Sequence, residues 1–202
     1  MDGYYDYGPL VSLERSIVLA GLITDDTRMV GYRVAALLGL PYTDLDRSIE
    51  HHAGTSVERL ITEQGVDRYR TFERELLARH LVATPPGILT LGDGTLLEAD
   101  SRQRVASSGR LIVLEHDLAN FYWRLIGIKQ AREAEEAAPA RHAGWHVLNP
   151  EPLTRIEQLR PFFQARVDAW ADTGPAHAVP IVGASPLAAV DVIVDWVRAH
   201  GD

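Results

Sequence analysis

The feature that most constrains this chain is an uninterrupted apolar run, SIVLAGL, which begins at Ser16. Such a run predicts a strand that is buried on both faces, as the strands of parallel sheets are. A helical pattern follows the run and ends at Gly39. Its apolar positions share one side of the predicted helix 27–38: Val30, Val34, Leu37 and Leu38. A buried strand that leads through a short turn into a helix indicates the start of a right-handed βαβ unit.

Four further apolar segments repeat this arrangement: PYTDLD, ILTLGDG, RLIVLE and AVPIVG. The patterns between and after them predict helices over 47–52, 57–63, 68–81 and 186–199. Strands that alternate with helices predict an α/β fold, namely a three-layer α/β/α arrangement around a parallel sheet.

The domain organisation follows from where this rhythm holds. We expect residues 1–14 to be a flexible lead-in and residues 15–202 to form a single domain. The segment 128–150 mixes charged helical sequence with proline, glycine and tryptophan. It is therefore a candidate for a mobile lid or a remodelled cover, although a surface helix and loop without a catalytic role fit it equally well.

Composition excludes several classes of partner. The net charge of −8 and the absence of a basic stripe argue against nucleic acid. The absence of cysteine excludes disulfides and thiolate metal sites, and no apolar run is long enough for a membrane span. We therefore expect a cytoplasmic protein, as a monomer or homodimer. His142 and His146 have a helical metal-ligand spacing, but Pro139 and Gly144 interrupt the helix, so no metal site is predicted.

Four blocks of sequence carry a resemblance to a known family. They are YTDLDRSIEHHAGTSVERLI, GVDRYRTFERE, LTLGDGTLL and LRPFFQARVDAWAD. The second is similar to a Gly-x-x-x-Phe-Arg-x-x-Glu motif, the third occupies the place of a strand that ends in three glycines, and the fourth is similar to Arg-x-Pro-Leu-Tyr. With these blocks the chain resembles the shikimate kinases, P-loop kinases that phosphorylate the 3-hydroxyl of shikimate with ATP and magnesium. The combination and spacing of the blocks are more specific than any one of them.

The resemblance implies a site for a cyclic hydroxy-carboxylic acid. Asp46 would hold the ring hydroxyls, Arg70 and Arg160 would grip the carboxylate, and Gly92 and Gly94 would border the ring. Forked arginine donors suit a carboxylate chemically. Structural alternatives stay open: Arg70 could pair with Glu73 or Glu75, Arg160 could be a surface residue, and Asp46 could cap the helix that begins at residue 47.

The turn after the first strand departs from the family. The family loop has the form Gly-x-x-x-x-Gly-Lys-[Ser/Thr]. Here Gly21 keeps the first position, Asp26 replaces the second glycine, Thr27 the lysine, and Arg28 the magnesium-binding hydroxyl. An aspartate about 4 Å from a phosphate charge opposes binding by roughly 4 kcal/mol at an effective dielectric near 20. Asp25, Asp26 and Asp93 supply such charges, so we expect a degenerate phosphate loop that holds no nucleotide cofactor.

Three functions remain open for such a chain. The first is an enzyme repurposed for non-kinase chemistry on a shikimate-like acid, such as dehydration or isomerisation (a lyase or isomerase), with Asp46, Asp93 and Asp44 as acid–base residues. Carboxylates that lie close together raise the pKa of one another, and this can create an acid–base pair. The second is a ligand-binding or regulatory pseudokinase. The third is an atypical ATP-dependent shikimate kinase.

Overall fold

The structure is a computed structural model that describes residues 11–134, 156–181 and 186–201. Its first half contains β1 (Ser16–Gly21), α1 (Thr24–Leu38), β2 (Tyr42–Asp44), α2 (Leu45–Ala53), α3 (Val57–Gln64), α4 (Val66–Leu81) and β3 (Ile88–Thr90). A 3₁₀ turn (Thr95–Leu97) precedes α5 (Ala99–Ser108), β4 (Gly109–Glu115) and α6 (Leu118–Ala134). The remaining described elements are α7 (Ile156–Asp172), β5 (Ala176–Pro180) and α8 (Ala188–His200).

The five strands of the described residues form one parallel sheet in the order β2-β3-β1-β4-β5. The apolar run at Ser16 is the central strand, and all six of its residues are buried. Its register aligns Ile17 with Ile88 on one side and with Arg110 on the other. The α/β fold predicted from the alternating segments is confirmed.

Helices cover both faces of the sheet because β1 sends alternate side chains in opposite directions. Ile17 and Leu19 pack in a core with α1 and α8. Val18 and Ala20 pack in a second core, to which α2, α3, α4, α5, α6 and α7 contribute. The three layers are therefore helix, sheet and helix, and the carboxyl ends of β1, β2 and β3 open at one edge, where α/β proteins bind ligands.

The first helix begins three residues earlier than the pattern predicts. Thr24 is its first residue, and the backbone N–H of Thr27 donates to the carbonyl oxygen of Ile23 over 3.0 Å. Thr27 is thus inside the helix rather than at its start. The described part of the chain has no helix long and apolar enough to cross a bilayer.

Two predicted segments lie largely or partly outside the described residues. Residues 1–10 of the lead-in are outside them, while Leu13 packs in the core. The proposed lid, 128–150, begins within α6, and residues 135–155, with His142 and His146, lie outside the described part. Among the described residues, no three His, Cys, Asp or Glu side chains are placed so that they could hold a metal ion together.

Candidate functional site

Four carboxylates converge at the ends of β2 and β3. Asp44 ends β2, Asp46 lies in the first turn of α2, and Asp93 follows β3, while Glu73 reaches the same place from α4. All four side chains are buried. Buried carboxylates require cations or hydrogen-bond donors, so the partners of this cluster determine what it can do.

The pKa of the Asp46 carboxyl group is strongly raised. Burial, together with the charges of Asp44 and Glu73, raises its pKa from 3.8 to about 7, although the Arg28 guanidinium opposes this shift. The Tyr69 hydroxyl lies 3.3 Å from its Oδ1 atom as a hydrogen-bond donor. Asp46 does not cap α2, because Asp44 accepts the helix-start hydrogen bond from the backbone N–H of Arg47. The carboxyl group of Asp46 is thus not used by the helix start.

Glu73 organises the arginine side of the cluster. It accepts hydrogen bonds from Arg70 over 2.5 Å, from the Tyr69 hydroxyl over 3.1 Å and from the Thr95 hydroxyl over 2.8 Å. The pairing of Arg70 with Glu73, left open by the sequence, therefore exists. It does not remove Arg70 from the cluster, since it fixes the direction of the guanidinium group.

The two glycines after β3 allow these side chains to approach the backbone. A Cβ atom added to Gly92 would lie 3.1 Å from Oδ1 of Asp46. One added to Gly94 would lie 2.9 Å from Nη2 of Arg70. The predicted glycines thus border the predicted binding residues.

Arg160 is not part of the cluster. Its side chain is exposed on α7, and the arginine that α7 brings to the cluster is Arg166. Nη2 of Arg166 donates to Oδ2 of Asp93 over 3.2 Å, and its guanidinium carbon lies 3.2 Å from the centre of the Phe162 ring. Burial lowers the pKa of Arg166, and the neighbouring Asp93 carboxylate opposes this shift.

Helix geometry explains why Arg160 and Arg166 differ. Six residues at 3.6 per turn place them roughly 120° apart around α7. Leu159 and Trp170 are buried, and Arg166 lies on their side of the helix, seven residues after Leu159. An arginine within an apolar stripe was the signal in the sequence, and motif position alone missed it.

The residues between β1 and α1, with the first turn of α1, are held together by their own contacts, and we call this segment the closed turn. The Thr27 hydroxyl donates to the carbonyl oxygen of Ile23 over 3.1 Å, and a Cβ atom on Gly21 would clash with that hydroxyl. Leu22 and Ile23 are buried. None of the described non-glycine residues has a positive φ, so Asp26 adopts ordinary helical backbone without strain.

Ion pairs occupy the charged groups around this turn. Asp26 is buried and pairs with Arg124 of α6, and Nε2 of His116 lies 3.7 Å from its Oδ2 atom. Arg28 pairs with Asp44 across the end of β2. The side chain of Asp25 is outside the described part. The predicted loop residues therefore lie together. The anions beside Arg28 and Arg124 are the carboxylates of Asp44 and Asp26.

Comparisons with known proteins agree on one family. The shikimate kinase family profile matches residues 28–142. A shikimate kinase of Salinibacter ruber is 33% identical over 153 residues, which cover 74% of this chain and 72% of that protein. The chain belongs to the shikimate kinase family. A shikimate kinase of Geobacillus kaustophilus, 33% identical over 158 residues, covers 78% of this chain and 76% of its own length.

Solved structures of shikimate kinases share the fold. The Acinetobacter baumannii enzyme in complex with shikimate superposes with a TM-score of 0.68 at 16% identity, over 96% of both chains. The Aquifex aeolicus enzyme gives a TM-score of 0.65 at 18% identity, over 93% of this chain and 99% of its own. The family predicted from the four sequence blocks is confirmed. Within this chain, the family match begins at Arg28, after β1 and the closed turn.

Proposed function

We propose that this member of the shikimate kinase family binds a shikimate-like cyclic hydroxy-carboxylic acid and acts on it by acid–base chemistry without ATP. The observation that carries the proposal is Asp46, a buried carboxyl group with a pKa of about 7 in a cluster that also holds Arg70 and Arg166. A group with such a pKa can take up or release a proton near neutral pH.

The ligand class follows from the arginines. Residues 92–94, called the glycine turn below, follow β3. Arg70 and Arg166 approach this turn from different helices, the first at Gly94 and the second at Asp93. Each is paired with a carboxylate, Glu73 or Asp93, so the guanidinium groups are pre-oriented. A ligand carboxylate can add to such a pair through the remaining N–H donors, and ring hydroxyls can donate to Asp46. Arg166 replaces Arg160 as the second anchor in this proposal.

The chemistry follows from the partners of the carboxylates. Both oxygens of Asp44 are engaged, one by the backbone N–H of Arg47 and one by Arg28. We therefore assign Asp44 a positioning role, in which its charge raises the pKa of Asp46. In a dehydration, the Asp46 carboxylate would take a proton from carbon and return it to the departing hydroxyl, so that water leaves and no redox partner is needed. Asp93, paired with Arg166, would hold the ring.

The absence of nucleotide chemistry is supported by the closed turn. Thr27 stands where the family loop has its lysine, and its hydroxyl is used within the helix. The buried Asp26 carboxylate lies at the helix start, where a phosphate would need an attractive field. The only lysine of the chain, Lys129, lies in α6.

A second function is ATP-dependent phosphorylation of shikimate. The curated relatives at 33% identity are shikimate kinases, and this favours the second function. Asp46 would then accept the proton of the attacking hydroxyl. Nucleotide binding would require the turn after Gly21 to open and Arg124 to leave Asp26.

The experiment separates these functions in one set of titrations. Shikimate and related cyclic acids are titrated calorimetrically with and without ATP and magnesium, and the mixtures are followed by proton NMR and an ADP assay. Loss of the acid without nucleotide, abolished in Asp46→Asn and kept in the exposed control Asp191→Asn, supports the proposal. ADP formation that depends on the acid would establish the kinase instead. Binding without turnover would leave the ligand assignment and remove the chemistry, as for a regulatory pseudokinase.

A further inference from the structure

A second cleft lies at the edge of the sheet beside β2, apart from the glycine turn. It encloses about 650 Å³ between α1, β2, α2 and α4. None of Asp46, Arg70, Asp93 and Arg166 lines it. The described residues that line this edge cleft are Arg28, Tyr32, Tyr42, Thr43, Asp44, Arg47, Ser48, His51, His52, Leu76, Arg79 and His80.

The charge of the edge cleft opposes that of the chain. Three arginines line it against a single aspartate, whereas the whole protein has a net charge of −8. Arg28 is paired with that aspartate, Asp44, and Arg47 is paired with Glu50. Arg79 has no ion pair or side-chain hydrogen bond among the described residues. Burial, with a smaller contribution from the charge of Arg79, lowers the pKa of His80. Three guanidinium groups in one cleft, with that of Arg79 left unpaired by the described residues, favour an anionic ligand.

An aromatic surface lies beside these cations. The Tyr32 ring is 62% exposed and packs edge-on against Tyr42, with ring centroids 5.7 Å apart and an interplanar angle of 81°. Tyr42 is fixed in turn by hydrogen bonds of its hydroxyl to the carbonyl oxygen of Arg28 and to Thr90. One face of an exposed aromatic ring on a rigid support is suited to stack on a planar ligand.

From this combination we propose that the edge cleft binds a small ring-bearing molecule with two or more negative charges, such as an aryl phosphate or an aromatic dicarboxylate. The anionic groups contact Arg79 and Arg47, and the ring stacks on Tyr32. The edge cleft shares Asp44 with the carboxylate cluster, so a bound anion lies beside one member of that acid cluster. This proposal is independent of the chemistry proposed for Asp46.

The test uses phenyl phosphate and benzene-1,3-dicarboxylate as probes, with inorganic phosphate and benzoate for comparison, by calorimetry on the full chain. We expect at least one dianionic ring probe to saturate, and its affinity to fall about tenfold in Arg79→Gln through loss of a charge-assisted contact. Arg59→Gln removes the same charge from an exposed helix position outside the cleft, paired with Glu63, and should leave the affinity unchanged. Tyr32→Ala should abolish the preference for the ring probe over inorganic phosphate.

Several results would overturn the inference. These are the absence of saturable binding by both dianionic probes, equal affinities in Arg79→Gln and Arg59→Gln, or a ring preference that survives Tyr32→Ala. Amide chemical shifts of Thr43 and Ser48 locate the site, and perturbation confined to the glycine turn would also refute it. Shikimate binding measured in Arg79→Gln should equal that of the wild type, so failure at the edge cleft is distinguishable from failure at the acid cluster.

Discussion

Arg166 and Asp93 form a buried ion pair, with 3.2 Å between Nη2 and Oδ2, that joins helix α7 to the glycine turn after β3. Both side chains are almost inaccessible to solvent. The pair brings α7 to the ends of β2 and β3, and each residue neutralises the charge of the other. A ligand carboxylate that binds Arg166 shares this arginine with Asp93, so affinity and local stability are coupled at this point.

The first prediction distinguishes the two arginines of α7. Arg166→Gln should weaken binding of a shikimate-like acid by about 10- to 100-fold, because one charge-assisted contact to the carboxylate is lost. Arg160→Gln should leave the dissociation constant unchanged, since its side chain is exposed. Calorimetric titration with shikimate measures both.

The folding of the Arg166 variant needs its own control, because glutamine leaves Asp93 without a cation. Arg166→Lys retains the charge while removing the planar fork, and it should bind at an intermediate affinity. Circular dichroism confirms that each variant is folded. Equal affinities for Arg160→Gln and Arg166→Gln would refute the anchor role of Arg166.

The architecture could be predicted from the sequence because the segment with the strongest apolar pattern is also the most buried strand. The run at Ser16 became the central strand. Of the predicted stripe, Val30, Val34 and Leu38 became the buried side of α1, whereas Leu37 is exposed, so its place in the stripe was wrong. An uninterrupted apolar strand favours a parallel sheet, whose strands are buried on both faces, and the alternation with helices supports this choice. The family could be predicted because the spacing between the motifs is kept even where residues within a motif differ.

The site was only partly predictable, for reasons of helical phase and hydrogen bonding. In the family motif one residue separates arginine and proline, whereas here Arg160 directly precedes Pro161. Leu159 stands at the motif position of the arginine, and its side chain faces the core. The closed turn could not be read from composition either, because it depends on the Thr27 hydroxyl reaching the carbonyl oxygen of Ile23. Both outcomes depend on three-dimensional register rather than on residue type.

The second prediction concerns the pH dependence of stability. Because the pKa of Asp46 is raised from 3.8 to about 7 in the folded protein, the folded state keeps a proton that the unfolded chain releases. The free energy of unfolding should therefore fall as the pH rises from about 4 to about 7, by up to about 4 kcal/mol from this group. Above pH 7 the contribution is constant.

Asp46→Asn tests this effect because asparagine has the same shape and does not ionise. Urea unfolding at pH 5, 6, 7 and 8 should show a weaker decline for the variant, which becomes more stable than the wild type at pH 8. Asp191→Asn, at an exposed position on α8, should retain the wild-type slope. Identical slopes for Asp46→Asn and the wild type would mean that another group dominates.

The third prediction addresses the ion pair between Asp26 and Arg124, beside the turn that follows β1. Arg124→Gln should destabilise the fold by about 2 kcal/mol, because the Asp26 carboxylate stays buried without this cation. This loss of stability is smaller than that usual for breaking a fully buried ion pair, because Arg124 is partly exposed. Asp26→Asn combined with Arg124→Gln should recover part of the loss, with a coupling energy of about 1 kcal/mol.

Chemical denaturation of the four proteins in this cycle measures the coupling. The same cycle reports on the nucleotide question, because removal of Asp26 takes away a negative charge from the start of α1. If Asp26→Asn alone produced ATP binding, repulsion by Asp26 would be the main barrier. We expect no binding, since Thr27 still replaces the lysine of the family loop.

The last prediction concerns Gly94, whose φ of −105° any residue can adopt. Alanine there would bring a Cβ atom to 2.9 Å from Nη2 of Arg70, so the guanidinium group has to move. Because the contact is with the end of a flexible side chain, Gly94→Ala should change stability by less than about 1 kcal/mol while weakening binding of the acid several-fold. Gly127→Ala is the matched control: it lies in α6, where an added Cβ meets nothing within 4 Å, and it should stabilise the helix by about 0.5 kcal/mol without altering affinity. An unchanged dissociation constant in Gly94→Ala would show that Arg70 does not hold the ligand in the orientation fixed by Glu73.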